Sequence, residues 1–258
     1  MHHFFVENSA VEDGRIRLQG SNYDHAVNVL RLREGEGILI SDSAGNDYEC
    51  SVESVSREAG HGVLTALIRE TGYMTHELPS SVWLFQSLPK SDRMEFIIQK
   101  AVELGADHVV PVMSRNCVMK LDPKKAAQKL KRWQAVAESA AKQSQRSVIP
   151  EIHSPVQFTE AVHMAEELDV KIIPYENAKG LDSLCESIIS FIPGRSVGVF
   201  IGPEGGYDPL EIRFAENRGI VPVSLGGRIL RTETAAVAAL SLVMIRLEIA
   251  AGTDLSDV

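Results

Sequence analysis

Two glycine-rich segments hold the residue types and spacings most able to do chemistry. The first, Gly202-Pro203-Glu204-Gly205-Gly206-Tyr207, directly follows the apolar run VGVFI at 197–201. A helix is expected to start just after it at Asp208-Pro209, where Glu211 stands at the spacing of a capping box. A strand, a glycine turn and a helix in that order make a ligand pocket at the carboxyl edge of a sheet, because glycine lets backbone amides approach a ligand closely. The spacing is not GxGxxG, so it does not single out a dinucleotide, and a tight structural turn is the competing reading. The second segment, Ser224 to Ala235, follows another apolar run, IVPVS at 220–224. In it Gly226-Gly227 makes a turn, Thr232 can cap the next helix, and Arg228 and Arg231 flank Ile229 and Leu230. A phosphate-binding hydrolase would use the first loop as an anion nest. It would also need a metal or nucleophile constellation, and none is evident: the eight histidines form no HExxH, and Cys50, Cys117 and Cys185 form no CxxC, so no bound metal is expected.

These loops need a scaffold, and the surrounding pattern describes one. From residue 82 onward apolar runs of strand length (82–88, 108–113, 170–174, 197–201, 220–224) alternate with helical patterns. They are rich in Val, Ile and Phe, as expected of strands covered on both faces, so this part reads as α/β with a mainly parallel sheet. Asp92 with Glu95 has capping-box spacing, Gly105 ends that helix, and Asp122-Pro123 opens a long helix to about Arg146. Residues 4–70 read differently. Short strands at 37–41, 48–55 and 62–70, separated by turn signals such as 44–47 and 59–60, predict a small β-barrel or sandwich, interrupted by one helical piece at 21–31. The expected division is a barrel at 1–71, a linker at 72–81 and an α/β domain at 82–258.

The chain has 258 residues, 44% of them apolar and 24% charged, which fits a folded protein of two domains. No stretch approaches the roughly 18 uncharged apolar residues of a membrane span, and the amino terminus lacks the pattern of a secretory signal. Three scattered cysteines point to a reducing, cytoplasmic setting. Net charge is −9, but residues 90–150 carry twelve Lys or Arg against six Asp or Glu. A basic segment in an acidic chain is a candidate phosphate-facing patch; a solvated helix face is the alternative. The helix from about 233 to 249 is apolar on much of its surface, so it is either central or part of a dimer interface.

IGPEGG at 201–206 and LGGRILRTETAA at 225–236 together resemble the signature segments of the SPOUT methyltransferases, and within them the RsmE family. KSDRMEFIIQKAVELGADHVVPV (90–112), ESAAKQSQRSVIP (138–150) and the region from His25 to Arg31 resemble that family as well, so the likeness spans almost the whole chain. It departs at Gly227, where the family usually has Pro, and at His2 and His3, where it often has Arg. The resemblance implies a PUA-like barrel followed by an α/β domain with a trefoil knot. It implies a homodimer, and S-adenosylmethionine held by Ile173, Pro174, Tyr175 and Glu176, by Ile201, Gly202, Pro203, Gly205 and Gly206, and by Leu225, Gly226, Ile229 and Leu230. The implied reaction is methylation of N3 of a uridine in 16S ribosomal RNA of the small subunit.

Such a reaction needs positioning more than activation of the donor. Uracil N3 must lose its proton, and a guanidinium beside the resulting anion lowers that cost. Arg231 is the first candidate, with Arg93 and Arg146 behind it. Glu204 or Glu233 is placed to accept the proton, although each has an equally good structural reading. His25, Arg31, Lys90, Arg93, Lys124, Lys125, Lys129, Arg132 and Arg146 are the expected RNA contacts. A non-catalytic RNA-binding protein is the remaining alternative; it leaves the second glycine loop without a purpose.

Overall fold

The structure is a computed structural model that describes residues 1–7, 10–42, 45–58, 60–73, 76–119, 121–178 and 180–252. Positions 44, 59, 74 and 75 of the expected turns and linker lie outside the described residues, as does Lys120 of the basic segment. The chain forms two compact units, residues 1–77 with 141–149, and residues 78–140 with 150–258.

In the first unit the alternation of apolar and polar residues builds a six-stranded sheet. Its order is β1 (His2–Val6), β4 (Gly37–Asp42), β5 (Asn46–Glu58), β6 (His61–Tyr73), β3 (Arg15–Leu18) and β2 (Val11–Glu12). β3 shows the pattern plainly: Arg15 and Arg17 face out while Ile16 and Leu18 are buried. β1 and β4 pair in parallel and the other strands antiparallel. β5 and β6 are far longer than the runs expected from the sequence. Register shifts at Glu49/Cys50 and Val52/Ser54 bend this hairpin, as bulges do, around a core of Phe4, Ile16, Leu18, Ile38, Ile40 and Leu64. The helical piece is α1 (Gly20–Tyr23) running into a π-helical turn (Asp24–Val29). Arg31 follows it at φ +57°, a region that side chains rarely adopt.

Two buried polar groups tie residues 141–149 into this unit. Ser147 Oγ donates to Asp47 (2.6 Å), which also accepts from Ser41 Oγ (2.5 Å), and Ser41 meets His3 Nε2 at 2.8 Å. Burial pushes the His3 pKa down to about 4. The Arg146 guanidinium is buried against the Glu77 carboxylate, which also accepts from the Ser147 and Val148 amides. Arg146 was expected at an RNA surface and near the chemistry. At 2% exposure and ion-paired it serves neither role, because a buried guanidinium needs its carboxylate to offset lost hydration.

The second unit is a wholly parallel sheet in the order β10 (Val156–Gln157), β8 (His108–Met113), β7 (Val82–Ser87), β12 (Val197–Ile201), β11 (Val170–Pro174) and β13 (Val221–Val223), with β9 (Glu151–Ile152) also on β8. One face buries Phe85, Val110, Phe158, Phe200 and Ile212 together. α2 (Arg93–Glu103) ends before Gly105, at φ +85°. Its Asp92 makes no side-chain cap, contrary to the expected box: its backbone is not extended (φ −94°, ψ 16°), and the Glu95 carboxylate that would return the bond is taken by Arg132 at 2.7 Å. α3 (Pro123–Gln143) begins where expected, with Asp122 accepting from the Lys125 amide at 2.9 Å. It stops at Gln143, three residues short of Arg146. The unit also contains α4 (Phe158–Met164), α5 (Asp182–Ile189) and α6 (Pro209–Glu216).

The last helix, α7 (Thr232–Ala251), is long and apolar enough by composition to cross a membrane. Here Ala236, Ala239, Leu240, Val243 and Leu247 are buried on one face, which packs on α2, α5 and β12. Its outward stripe is apolar too: Leu242, Ile245 and Ile249 are exposed.

Candidate functional site

β12 lies between β7 and β11, and β11 lies between β12 and β13. The carboxyl ends of β11, β12 and β13 are therefore neighbours, and both glycine segments emerge there. Between them is a cavity of about 820 Å³. Pro174, Tyr175 and Glu176 line it from the end of β11. Ile201 and Gly202 to Gly206 line it from β12, and Leu225 to Arg231 from β13. Of the residues expected to hold a cofactor, only Ile173 is absent from the lining; it is fully buried in the sheet core. Ala178, Gly180 and Leu181 line the cavity without having been singled out, and Tyr207, Ser224 and Gly227 of the two glycine segments line it as well.

Local interactions explain why the loops hold their shape. The expected capping box forms: Asp208 accepts from the Leu210 amide (2.8 Å) and Glu211 from the Asp208 amide (3.1 Å). Gly206 has φ +66°, which favours glycine, and a Cβ there would lie 2.6 Å from Glu176 Oε1, so a side chain would push the exposed Glu176 carboxylate aside. A Cβ on Gly202 would press on the buried Tyr207 ring at 3.2 Å. Burial pushes the Tyr207 phenol well above its ordinary pKa, so it stays neutral. Asn116 Nδ2 donates to the carbonyls of Gly205 and Gly206, 3.2 Å each. Gly226 has φ +105°, and its amide donates to Ser224 Oγ at 3.2 Å.

Thr232 does not cap α7, since the N-cap is Arg231 and has no side-chain bond. Instead its hydroxyl donates to the Gly202 carbonyl (2.7 Å) and accepts from Gln86 Nε2 (3.0 Å). It thereby links the first loop, the start of α7 and the end of β7. Nothing in the spacing of Gln86, Asn116 and Thr232 marks them, because their partners are 30 to 146 residues away in sequence for Thr232 and about 90 for Asn116.

The two candidate carboxylates are already engaged. Glu204 accepts from the Lys90 amide (3.0 Å) and from Arg93 (3.1 Å). Glu233 is 3.6 Å from the same guanidinium, and its buried Oε2 has no hydrogen-bond donor among the described residues. Arg93 thus stands between the two acids, of which Glu204 lines the cavity. Arg231 lines the cavity and is exposed, with no ion pair among the described residues. Of the expected RNA contacts, Lys90, Lys124, Lys125 and Arg132 are exposed and Lys129 is half-buried, with its ammonium 5.8 Å from the Trp133 ring centre. Lys125 pairs with Asp122, and Arg132 with Glu95. His25 and Arg31 are exposed on the first unit.

Comparison with known proteins gives the family. Residues 76–244 match the model of the RNA methyltransferase domain, and residues 18–64 that of the RNA methyltransferase PUA domain. Ribosomal RNA small subunit methyltransferase E of Bacillus subtilis (strain 168) is 34% identical over 98% of this chain and 99% of its own. The chain belongs to the ribosomal RNA small subunit methyltransferase E family. The protein of that name from Synechocystis is 33% identical over 92% of this chain and 75% of its own. A crystal structure of that enzyme from Neisseria gonorrhoeae, bound to S-adenosyl methionine, has a TM-score of 0.76 at 30% identity and covers 93% of this chain and 95% of its own. In this methyltransferase the family domain begins at residue 76, beside the boundary between the two compact units at Glu77. All three cysteines are free.

Proposed function

We propose that this methyltransferase moves a methyl group from S-adenosylmethionine to N3 of a uridine in 16S ribosomal RNA of the small subunit, acting as a cytoplasmic homodimer. The observation that carries the reading is the cavity at three adjacent strand ends. Its volume, about 820 Å³, lies in the range of small-molecule sites. The residues fit a partly apolar ligand: a Cβ on Gly226 or Gly227 would meet nothing within 4 Å, so the backbone there faces open space. Ile201, Leu225 and Leu230 supply apolar walls. The Neisseria gonorrhoeae relative, bound to S-adenosyl methionine, supports assigning the same ligand here.

When bound, S-adenosylmethionine supplies a methyl group already activated by its sulfonium sulfur. The chain's own residues bind, align and stabilise charge. Arg231, exposed in the cavity and without an ion pair among the described residues, stabilises the uracil anion left when N3 loses its proton. Arg93 is neutralised by Glu204 and Glu233, which fits a bracing role for all three. We assign the proton to solvent, because Glu204 already accepts two kinds of donor and Glu233 Oε2 is buried and ion-paired with Arg93.

The target base leaves its stack to reach the cavity. Lys90, whose amide donates to the cavity-lining Glu204, the α3 cations Lys124, Lys125, Lys129 and Arg132, and His25 with Arg31 of the PUA domain are the proposed RNA contacts. The proposed trefoil knot would involve the loops after β11, β12 and β13. The apolar outer stripe of α7 supports the dimer. Mass spectrometry of 16S ribosomal RNA nucleosides, from cells with and without the protein, tests the reading. Loss of 3-methyluridine upon deletion is expected; loss of a different methylated nucleoside, or of none, overturns the uridine-N3 assignment.

A further inference from the structure

The opposite edge of the same sheet holds a second cluster. Trp83 on β7, His108 on β8 and Glu151 on β9 form one row, paired Trp83 to His108 and His108 to Glu151. In-register neighbours on parallel strands share a face, and so do residues two apart on one strand. His153, two beyond Glu151, therefore joins the row, its amide bonded to the Val109 carbonyl at 2.9 Å. His108 Nδ1 lies 3.1 Å from His153 Nε2 and 3.5 Å from Glu151 Oε2. One donor atom from each of the three residues lies within 4.8 Å of the others. Trp83 stacks on both imidazoles, with ring centres 3.8 and 5.3 Å away, which holds their planes.

We propose that His108, His153 and Glu151 form a binding site for a divalent transition metal ion of the zinc class. Imidazole nitrogen and carboxylate oxygen are donors that such an ion takes at about 2.0–2.2 Å, so two of them on one tetrahedral ion stand roughly 3.4 Å apart. The imidazole pair is within a few tenths of an ångström of that spacing as it stands. Calcium and magnesium favour oxygen donors alone. The imidazole side chains are 26% and 19% exposed and the Glu151 side chain 62%, so the carboxylate is the member free to swing onto the ion. Three protein donors leave a fourth position for water or a ligand oxygen. The ion would clamp the two-residue strand β9 to β8, adding to the amide bonds from Glu151 and His153 to the Asp107 and Val109 carbonyls. The rival reading is a metal-free N–H···N bond between the two rings.

The test uses the full chain in a His2→Ala background, which removes an exposed terminal imidazole. Zn²⁺ is titrated by calorimetry and Co²⁺ by visible absorption, and melting is followed with and without Zn²⁺. A single equivalent should bind, Co²⁺ should show the spectrum of a four- or five-coordinate ion, and Zn²⁺ should raise the melting temperature. His153→Ala should weaken binding about 100-fold and abolish the thermal shift; Glu151→Gln should weaken it about tenfold. If His153→Ala does not fold, Glu151→Gln still decides, because it alters an exposed carboxylate. Equal affinity in the parent and these variants, or no binding by the parent, overturns the site in favour of the hydrogen-bonded pair.

Discussion

Thr232 offers the sharpest test of how the two glycine loops are joined. Thr232→Val keeps the shape of the side chain and removes the hydroxyl. The Gly202 carbonyl then loses a donor at 2.7 Å, and Gln86 Nε2 loses an acceptor at 3.0 Å. Stranding a buried partner costs about 1–3 kcal/mol, and losing an ordinary hydrogen bond about 0.5–1.5. Gln86 keeps its bond to the Ser87 carbonyl, so the second loss belongs at the low end. The expected total is about 1.5–3.5 kcal/mol, or a drop of roughly 3–14 °C in the melting transition of a protein this size. Thr232→Ser keeps the hydroxyl and loses one methyl, about 1 kcal/mol, so stability should fall in the order Thr, Ser, Val. Calorimetry with S-adenosylhomocysteine should show the same order of affinity, because a freed Gly202 loosens the cavity wall. A Thr232→Val protein that melts within about 2 °C of the parent, or above Thr232→Ser, would refute the linking role.

Arg231→Ala should lower single-turnover methylation by about two to three orders of magnitude, with cofactor affinity little changed and partial rescue as pH rises; a rate loss fully explained by weaker binding would sink the catalytic role. Gly206→Ala should cost about 1–2 kcal/mol from its left-handed backbone and displace Glu176, weakening S-adenosylhomocysteine in calorimetry; unchanged affinity would contradict the geometry. His3 is neutral when folded, with its pKa held at about 4 against 6.5 in the open chain. Below pH 6.5 the unfolded chain takes up the proton first, so stability complete above pH 6.5 is lost as pH falls toward 4, by about 3 kcal/mol. His3→Asn should flatten that part of the denaturation profile, and equal slopes in the two proteins would disprove the linkage. Ile245→Asp, on the exposed stripe of α7, should halve the mass in sedimentation from about twice 28.3 kDa; a parent that is already monomeric and active removes the dimer.

Much of the second unit is legible in the chain because its signals are local. A strand buried on both faces must be apolar along its length, so VGVFI and VKIIP announce themselves, and a glycine at positive φ, as at Gly206 and Gly226, marks a turn. The Asp208–Glu211 capping box joins residues three apart and forms as spaced; the Asp92–Glu95 pair has the same spacing and fails, because Asp92 is not extended and Arg132, far along the chain, takes Glu95. Composition likewise shows an excess of cations between 90 and 150, but not which of them face solvent. Only the fold sends Arg146 to Glu77 in the first unit, sets Arg93 between Glu204 and Glu233, turns Thr232 toward Gly202, and aligns His108 beside Glu151 and His153. Local spacing specifies what a residue does within a turn or two of itself. Its partner across a sheet depends on strand order and register, which the packing of the whole core decides.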